Sequence, residues 1–183
     1  AEGFFRVFVG EIPDEEDDVR LKPQTFKGKW GFVDAKGELL ISPDYQYVTP
    51  FQNGFAKVQK EGKWGMIDNT GKLVVPCSYK QLLNVAEGLA RFKENRKFGA
   101  VNPAGKVIIP PNYSELWEAR EGLIVAAFNE KYGFLDLNGK TAIPFEYEEV
   151  LYFSEGKAAV MKQGKWGFID KAGKEIIAFK YDE

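Results

Sequence analysis

The chain has 183 residues, 44% hydrophobic and 15% aromatic, which suffices for a domain with its own core and is too apolar for disorder. Its formal net charge of −2 argues against general nucleic-acid or anionic-membrane binding, both of which want a basic face. With no histidine and one cysteine, Cys77, the sequence excludes Ser-His-Asp and Cys-His catalysis, the commonest zinc ligand and an internal disulfide.

Residues 3–9, Gly-Phe-Phe-Arg-Val-Phe-Val, read as a strand. An acidic insertion follows over about 10–27, with Glu11, Asp14, Glu15, Glu16, Asp17 and Asp18 between Pro13 and Pro23. It lacks the ordered ligand spacing and internal glycine of an EF-hand loop, so a solvated loop is expected rather than a calcium site. Lys29-Trp30-Gly31 then opens a series. Aromatic-Gly pairs recur at Trp30-Gly31, Trp64-Gly65, Phe98-Gly99, Tyr132-Gly133 and Trp166-Gly167, always 34 residues apart. A fixed period of this length marks a repeat architecture. Lysine precedes each aromatic, at Lys29, Lys63, Lys97, Lys131 and Lys165. A turn acid or amide, then a glycine and a tyrosine, follow at constant offsets: Asp68, Gly71 and Tyr79 in the second copy. The tyrosines are Tyr45, Tyr79, Tyr113, Tyr147 and Tyr181.

Each unit reads as three strands. In the second copy the leading strand is Gly54–Lys60, the middle strand Lys63–Asp68 and the trailing strand Lys72–Pro76. Glu61-Gly62 and Gln163-Gly164 join leading to middle strand. Where this glycine is lost, at Arg96 and Glu130, asparagine precedes it at Asn95 and Asn129. Glycine and asparagine tolerate positive φ, so a two-residue hairpin turn with left-handed geometry is expected. Asp-x-x-Gly joins middle to trailing strand, as a type I turn with a glycine bulge does. The trailing strands are apolar on both faces, as in Leu73-Val74-Val75 and Val107-Ile108-Ile109, which predicts burial on both sides between stacked sheets. The glycine inside the middle strand marks a close approach, with the later tyrosine as the group lying over it. The linker, Asp44 to Asn53, carries Tyr45, Val48 and Phe51 at a spacing that suits a 3₁₀ turn or one tucked-in crossing segment.

These residues resemble the WG repeat family, also called KWG repeats. Lys-Trp-Gly-Phe-Ile-Asp at 165–170, Gly173-Lys174, Tyr79 and Glu87-Gly88-Leu89-Ala90 carry the resemblance over about residues 28–183. The third copy departs most, with Phe98, Ala100 and Asn102. The resemblance implies a bacterial β-rich repeat protein without established catalytic activity. It supplies no active-site residues.

The expected fold is therefore all-β: one domain, 1–183, of three-stranded antiparallel meanders in units of about 1–53, 54–87, 88–121, 122–155 and 156–183. They stack as an open or spiral array, with a closed five-unit propeller-like ring as the alternative. Three strands rather than the four of a propeller blade favour the open form, and apolar ends favour the ring or excision from a longer protein.

The repeated aromatics read as core, because burying each contributes roughly 4–6 kcal/mol gross at about 25 cal/mol/Å². The repeated aspartates read as turn stabilisers, since five copies of one carboxylate do not make an asymmetric catalytic site. The repeated lysines read as blunting strand edges or laying their stems over a ring. Cys77 has no histidine base to activate it and reads as a small structural thiol.

Residues that break the repeat are the candidate site. Three of five arginines, Arg91, Arg96 and Arg120, fall in one unit's span, with Lys93, Lys97 and Trp117, the one Trp outside the repeated position. Arginine and tryptophan are enriched in binding hot spots. The expected function is a non-enzymatic binding or scaffold module with a protein or peptide partner, acidic in character. A carbohydrate-binding module is the second reading. A hydrolase using only carboxylates, with Glu115, Glu118 and Glu121 as candidates, is the third. No metal, cofactor, nucleic acid or membrane span is expected. Starting at Ala1 without Met fits a cleaved signal peptide, and hence export, or a trimmed terminus.

Overall fold

The computed structural model describes residues 3–11 and 27–182. Those residues contain no helix, and their 19 strands form five antiparallel sheets. The first sheet holds β1 (Phe5–Glu11), β2 (Lys27–Val33) and β3 (Leu39–Tyr45) in that order. The second holds β4 (Tyr47–Val48), β5 (Phe55–Lys60), β6 (Lys63–Asp68) and β7 (Leu73–Tyr79). The third holds β8 (Gln81–Ala86), β9 (Leu89–Glu94), β10 (Lys97–Val101) and β11 (Val107–Tyr113). The fourth holds β12 (Glu115–Leu116), β13 (Leu123–Phe128), β14 (Lys131–Asp136) and β15 (Thr141–Tyr147). The fifth holds β16 (Glu149–Val150), β17 (Lys157–Lys162), β18 (Lys165–Asp170) and β19 (Glu175–Tyr181).

The middle strand matches its expected span, and the linker does not. Tyr47-Val48 is a short strand pairing with Gln59 and Val58, where a 3₁₀ turn or a tucked-in crossing segment was expected. The linker thus supplies a fourth strand to the sheet that follows it. Four strands is the number a propeller blade carries, so strand count no longer separates these sheets from blades. The first sheet has three among the described residues, leaving β1 at its edge. The alignment of Gly3 with Gly54 holds in register, with Phe5 opposite Val33. The pairing continues to Gly10–Gly28 and Glu11–Lys27. The rest of the expected acidic loop, residues 12–26, lies outside the described residues.

The leading-to-middle turns have two consecutive positive-φ residues: Glu61 (52°) and Gly62 (72°), Asn95 (46°) and Arg96 (66°), Asn129 (50°) and Glu130 (63°), Gln163 (54°) and Gly164 (70°). This is the left-handed hairpin geometry expected from the Gly-for-Asn exchange.

The middle-strand glycine answers to a different neighbour from the one expected. Trp64 pairs with Tyr79 and Met66 with Val75, so Pro76, Cys77 and Ser78 bulge out opposite Gly65. A Cβ on Gly65 would lie 2.5 Å from the Val75 carbonyl oxygen and 2.8 Å from the Cys77 nitrogen. The same carbonyl contact recurs at Gly99 with Ile109 (2.6 Å), Gly133 with Ile143 (2.8 Å) and Gly167 with Ile177 (2.8 Å), and Gly31 approaches Ile41. Backbone, not the tyrosine ring, excludes a side chain there. The tyrosine is the cross-strand partner of the aromatic instead.

Two-sided burial of the trailing strand is also corrected. Ile41, Val75, Ile109 and Ile143 are buried, while Leu39, Leu40, Leu73 and Val107 are exposed. One residue of each of these apolar runs is fully buried, and Ile108, beside Ile109, is half-buried against the same core.

The chain divides into two compact units, Ala1–Asn84 with Pro103–Gly105, and Val85–Asn102 with Lys106–Glu183. In the first, the core joins Phe32 and Ile41 of the first sheet to Val48, Phe51, Ala56, Val58 and Ile67 of the second. In the second, one core joins Ala100 and Ile109 to Leu116, Ile124, Ala126 and Leu135. Another joins Val125, Phe134, Ile143 and Tyr147 to Val150, Phe153, Ala158, Val160 and Ile169. The cores therefore lie between successive sheets.

Candidate functional site

The residues singled out for breaking the repeat separate into two groups. Trp117 and Arg120 follow the short strand β12, and Tyr152 occupies the matching stretch after β16. The Trp117 and Tyr152 rings are 4.9 Å apart, and the Arg120 guanidinium lies 4.0 Å over the Tyr152 ring. Arg120 also donates to Glu118 at 2.9 Å. Trp117 Nε1 donates to Glu115 at 3.0 Å, whose other oxygen accepts from the Tyr132 hydroxyl at 3.0 Å. Arg91 donates to the Leu116 carbonyl at 2.8 Å. Burial lowers its pKa from the ordinary guanidinium value. Trp117, Tyr152 and Tyr132 are half-buried and Arg120 is exposed, so the cluster presents a cation, an aromatic edge and a carboxylate to solvent.

Arg96 and Lys97 do not join it. Arg96 sits in the β9–β10 turn and Lys97 opens β10 opposite Glu94, three residues or about 10 Å along the strand from Arg91 at about 3.3 Å per residue. Lys93 lies 4.7 Å over Phe98. Sequence reasoning missed Tyr152, whose neighbourhood reads as one linker among four.

The three candidate carboxylates have structural partners. Glu115 holds Trp117 and Tyr132, and Glu118 holds Arg120. Glu121 accepts the Glu155 N–H at 2.7 Å and the Gly156 N–H at 3.0 Å, and pairs with Lys171 at 3.1 Å. Its pKa is lowered by that lysine first, then by the Gly156 N–H. Glu87 likewise accepts the Gly122 N–H at 2.8 Å. A glutamate before the leading strand thus reaches the backbone of the next sheet.

The repeated aspartates act as turn stabilisers. Asp34, Asp68, Asp136 and Asp170 each accept two backbone N–H groups, such as Thr70 (2.9 Å) and Lys72 (3.1 Å) on Asp68. Asn102 does the same with Lys106 at 3.0 Å.

The aromatics before the repeated glycines are half-buried, with Trp30, Phe98 and Tyr132 packed against the cores, and of the repeated tyrosines Tyr147 is a core residue. The cations over Trp30 and Trp64 come from the leading strand: Arg6 at 5.8 Å and Lys57 at 5.6 Å. The lysines before the aromatics are not at edges, because the middle strand is internal to every sheet. Lys131 pairs with Glu148 and Lys165 with Asp182. Cys77 is half-buried in the bulge, and burial raises its pKa. Among the described residues no His/Cys/Asp/Glu group could hold a metal ion, and no helix is long and apolar enough to cross a membrane.

The sequence matches the family model described as "WG containing repeat" five times, at 30–64, 64–98, 98–132, 132–166 and 166–183. No curated protein matches it. Among solved structures it is similar to one described as the eukaryotic initiation factor, at 13% identity and TM-score 0.49 over 84% of this chain and 50% of that one. It is similar to PorZ, a bacterial surface component of the type-IX secretion system of Porphyromonas gingivalis, at 12% identity and TM-score 0.43 over 84% of this chain and 25% of that one. A protein of unknown function from Bacteroides caccae is similar at 12% identity and TM-score 0.30, over 83% of this chain and 75% of that one. The chain spans half the length of the first and a quarter of the second.

Proposed function

The chain belongs to the WG-repeat family, and we propose that it works as a non-enzymatic binding module whose partner is a protein. The observation that carries this reading is the Trp117–Tyr152–Arg120 cluster. Arginine, tryptophan and tyrosine are the side chains that concentrate binding energy at protein interfaces. They fall here on one surface, held by rigid strands on either side.

Carbohydrate binding is the weaker reading. Sugars stack on open aromatic faces, and the Tyr152 face is covered by Arg120. The partner surface is mixed rather than strongly acidic, because Glu118 neutralises Arg120 and the Arg91 guanidinium is committed to the Leu116 carbonyl.

Affinity capture from the source cell, with wild type beside a Trp117→Ala/Arg120→Ala variant, tests the proposal. Arg96→Glu serves as the distant control. Loss of the same protein from the double variant, and its retention by the control, is the expected result. Equal recovery from all three, with unfolding midpoints showing them folded, overturns it.

A further inference from the structure

Lys93, Arg96 and Lys97 stand apart from the Trp117 cluster, at the hairpin end of the third sheet. In the sister hairpins the second turn residue has an outside acceptor for its N–H. Gly62 donates to Gln46 Oε1 at 2.8 Å, and Gly164 donates to Glu148 Oε2 at 2.8 Å. Each acceptor precedes its donor by 16 residues. At that offset from Arg96 the third copy has Lys80, which carries donors and no acceptor. The repeat therefore supplies no side-chain oxygen to the Arg96 N–H from that position. The same hairpin end carries Lys93, Arg96 and Lys97 against one carboxylate, Glu94. None of these three cations forms an ion pair among the described residues.

An aromatic strip runs beside this turn. Lys93 lies over Phe98, and Phe98 is the cross-strand partner of Tyr113. The Tyr113 ring stands 6.1 Å from Phe128 and 5.9 Å from Phe145, and those two are 6.0 Å apart. Phe98, Tyr113 and Phe145 are half-buried, while Phe128 is 42% exposed. The sister leading strands end in Lys60, Glu94 and Lys162 at the Phe128 position, so the repeat itself requires no ring there. Phe98, Tyr113 and Phe145 pack against the core between the third and fourth sheets, and Trp117 against the core between the fourth and fifth. The strip thus lies on the other face of the fourth sheet from the Trp117 cluster and is independent of it.

We propose that the third-sheet hairpin and the adjoining strip dock an acidic peptide segment of a partner protein. A partner carboxylate takes the Arg96 N–H as Glu148 takes that of Gly164, in the field of the three cations. An apolar side chain next to that carboxylate covers Phe128.

Fluorescence anisotropy with three labelled peptides tests this: Glu-Glu-Phe-Glu-Glu, Glu-Glu-Ser-Glu-Glu and Lys-Lys-Phe-Lys-Lys. The first should bind tightest and the lysine peptide should not bind. Arg96→Glu should weaken both glutamate peptides about tenfold or more. Phe128→Thr, a neutral strand former at an exposed position, should weaken the phenylalanine peptide about three- to tenfold and leave the serine peptide unchanged. The Trp117→Ala/Arg120→Ala variant should bind all three as wild type does, which separates this surface from the first. Circular dichroism confirms that every variant is folded. No binding of the first peptide, equal binding of the lysine peptide, or binding indifferent to Arg96→Glu or to Phe128→Thr would each overturn the proposal. So would self-association in sedimentation velocity that Phe128→Thr abolishes, because a second copy would then occupy the strip.

Discussion

Gly65 illustrates how one backbone contact fixes a residue. Gly65→Ala pushes a methyl group into the Val75 carbonyl, which cannot move without undoing the bulge. A loss of roughly 1–3 kcal/mol or more is expected in denaturant unfolding. Glu130 presents the converse. It holds φ at 63° where Gly62 and Gly164 occupy the same turn position, so Glu130→Gly should stabilise by up to about 1 kcal/mol. The turn carboxylates make stability depend on acid. The pKa of Asp68 is lowered from 3.8, first by the Thr70 hydroxyl, and that of Asp136 first by the Lys140 N–H. Glu148 lies below 4.5, first through the Gly164 N–H. A depressed folded-state pKa contributes stability above the unfolded value and loses it as pH falls through the folded one. Unfolding midpoints should be flat above about pH 5 and fall below about pH 4, and Asp136→Asn should make that fall shallower. The role of the aspartates was legible in the sequence, because Asx turns are local and declare themselves in Asp-x-x-Gly; that of Glu148, which reaches Gly164, was not.

At the scale of the element, the hairpins were legible and the bulge was not. Asn95-Arg96 and Glu61-Gly62 announce left-handed turns through the residues that tolerate them. The bulge depends on pairing register between strands, and Leu73-Val74-Val75 reads the same with or without it. Proline was the available signal. Pro43, Pro76, Pro110, Pro111 and Pro144 all fall in the bulged stretch, where a missing N–H costs the ladder nothing. The fifth copy has Ala178 there. Ala178→Pro is expected to be neutral or to stabilise by up to about 1 kcal/mol, read from the shift in unfolding midpoint. The short strands such as Tyr47-Val48 escaped notice because two residues carry no periodicity. The Trp117–Tyr152–Arg120 cluster was half legible for a related reason. Trp117 stands out as an odd tryptophan, whereas Tyr152 meets it only after two linkers fold side by side.

Across the molecule, a residue's worth depends on which sheet holds it. Ile143 and Ile177 occupy equivalent positions, with only Ile143 buried. Ile143→Ala should cost roughly 2–5 kcal/mol, and Ile177→Ala well under half of that, by chemical denaturation of monomeric protein. The period of 34 residues predicted that successive units resemble one another. It could not predict this inequality, since burial is conferred by the neighbouring unit.

The bare outer surface of the fifth sheet also sets the molecule's rhythm of opening. β14 has cores on both sides, so its amides are released to deuterium only when two packed layers part together. β19 has one, and its outer layer is already water. Protection should therefore fall from β14 to β19 although the two sheets share one local plan. The slower-exchanging amides mark the sheet packed on both faces, and the quicker ones the sheet packed on one.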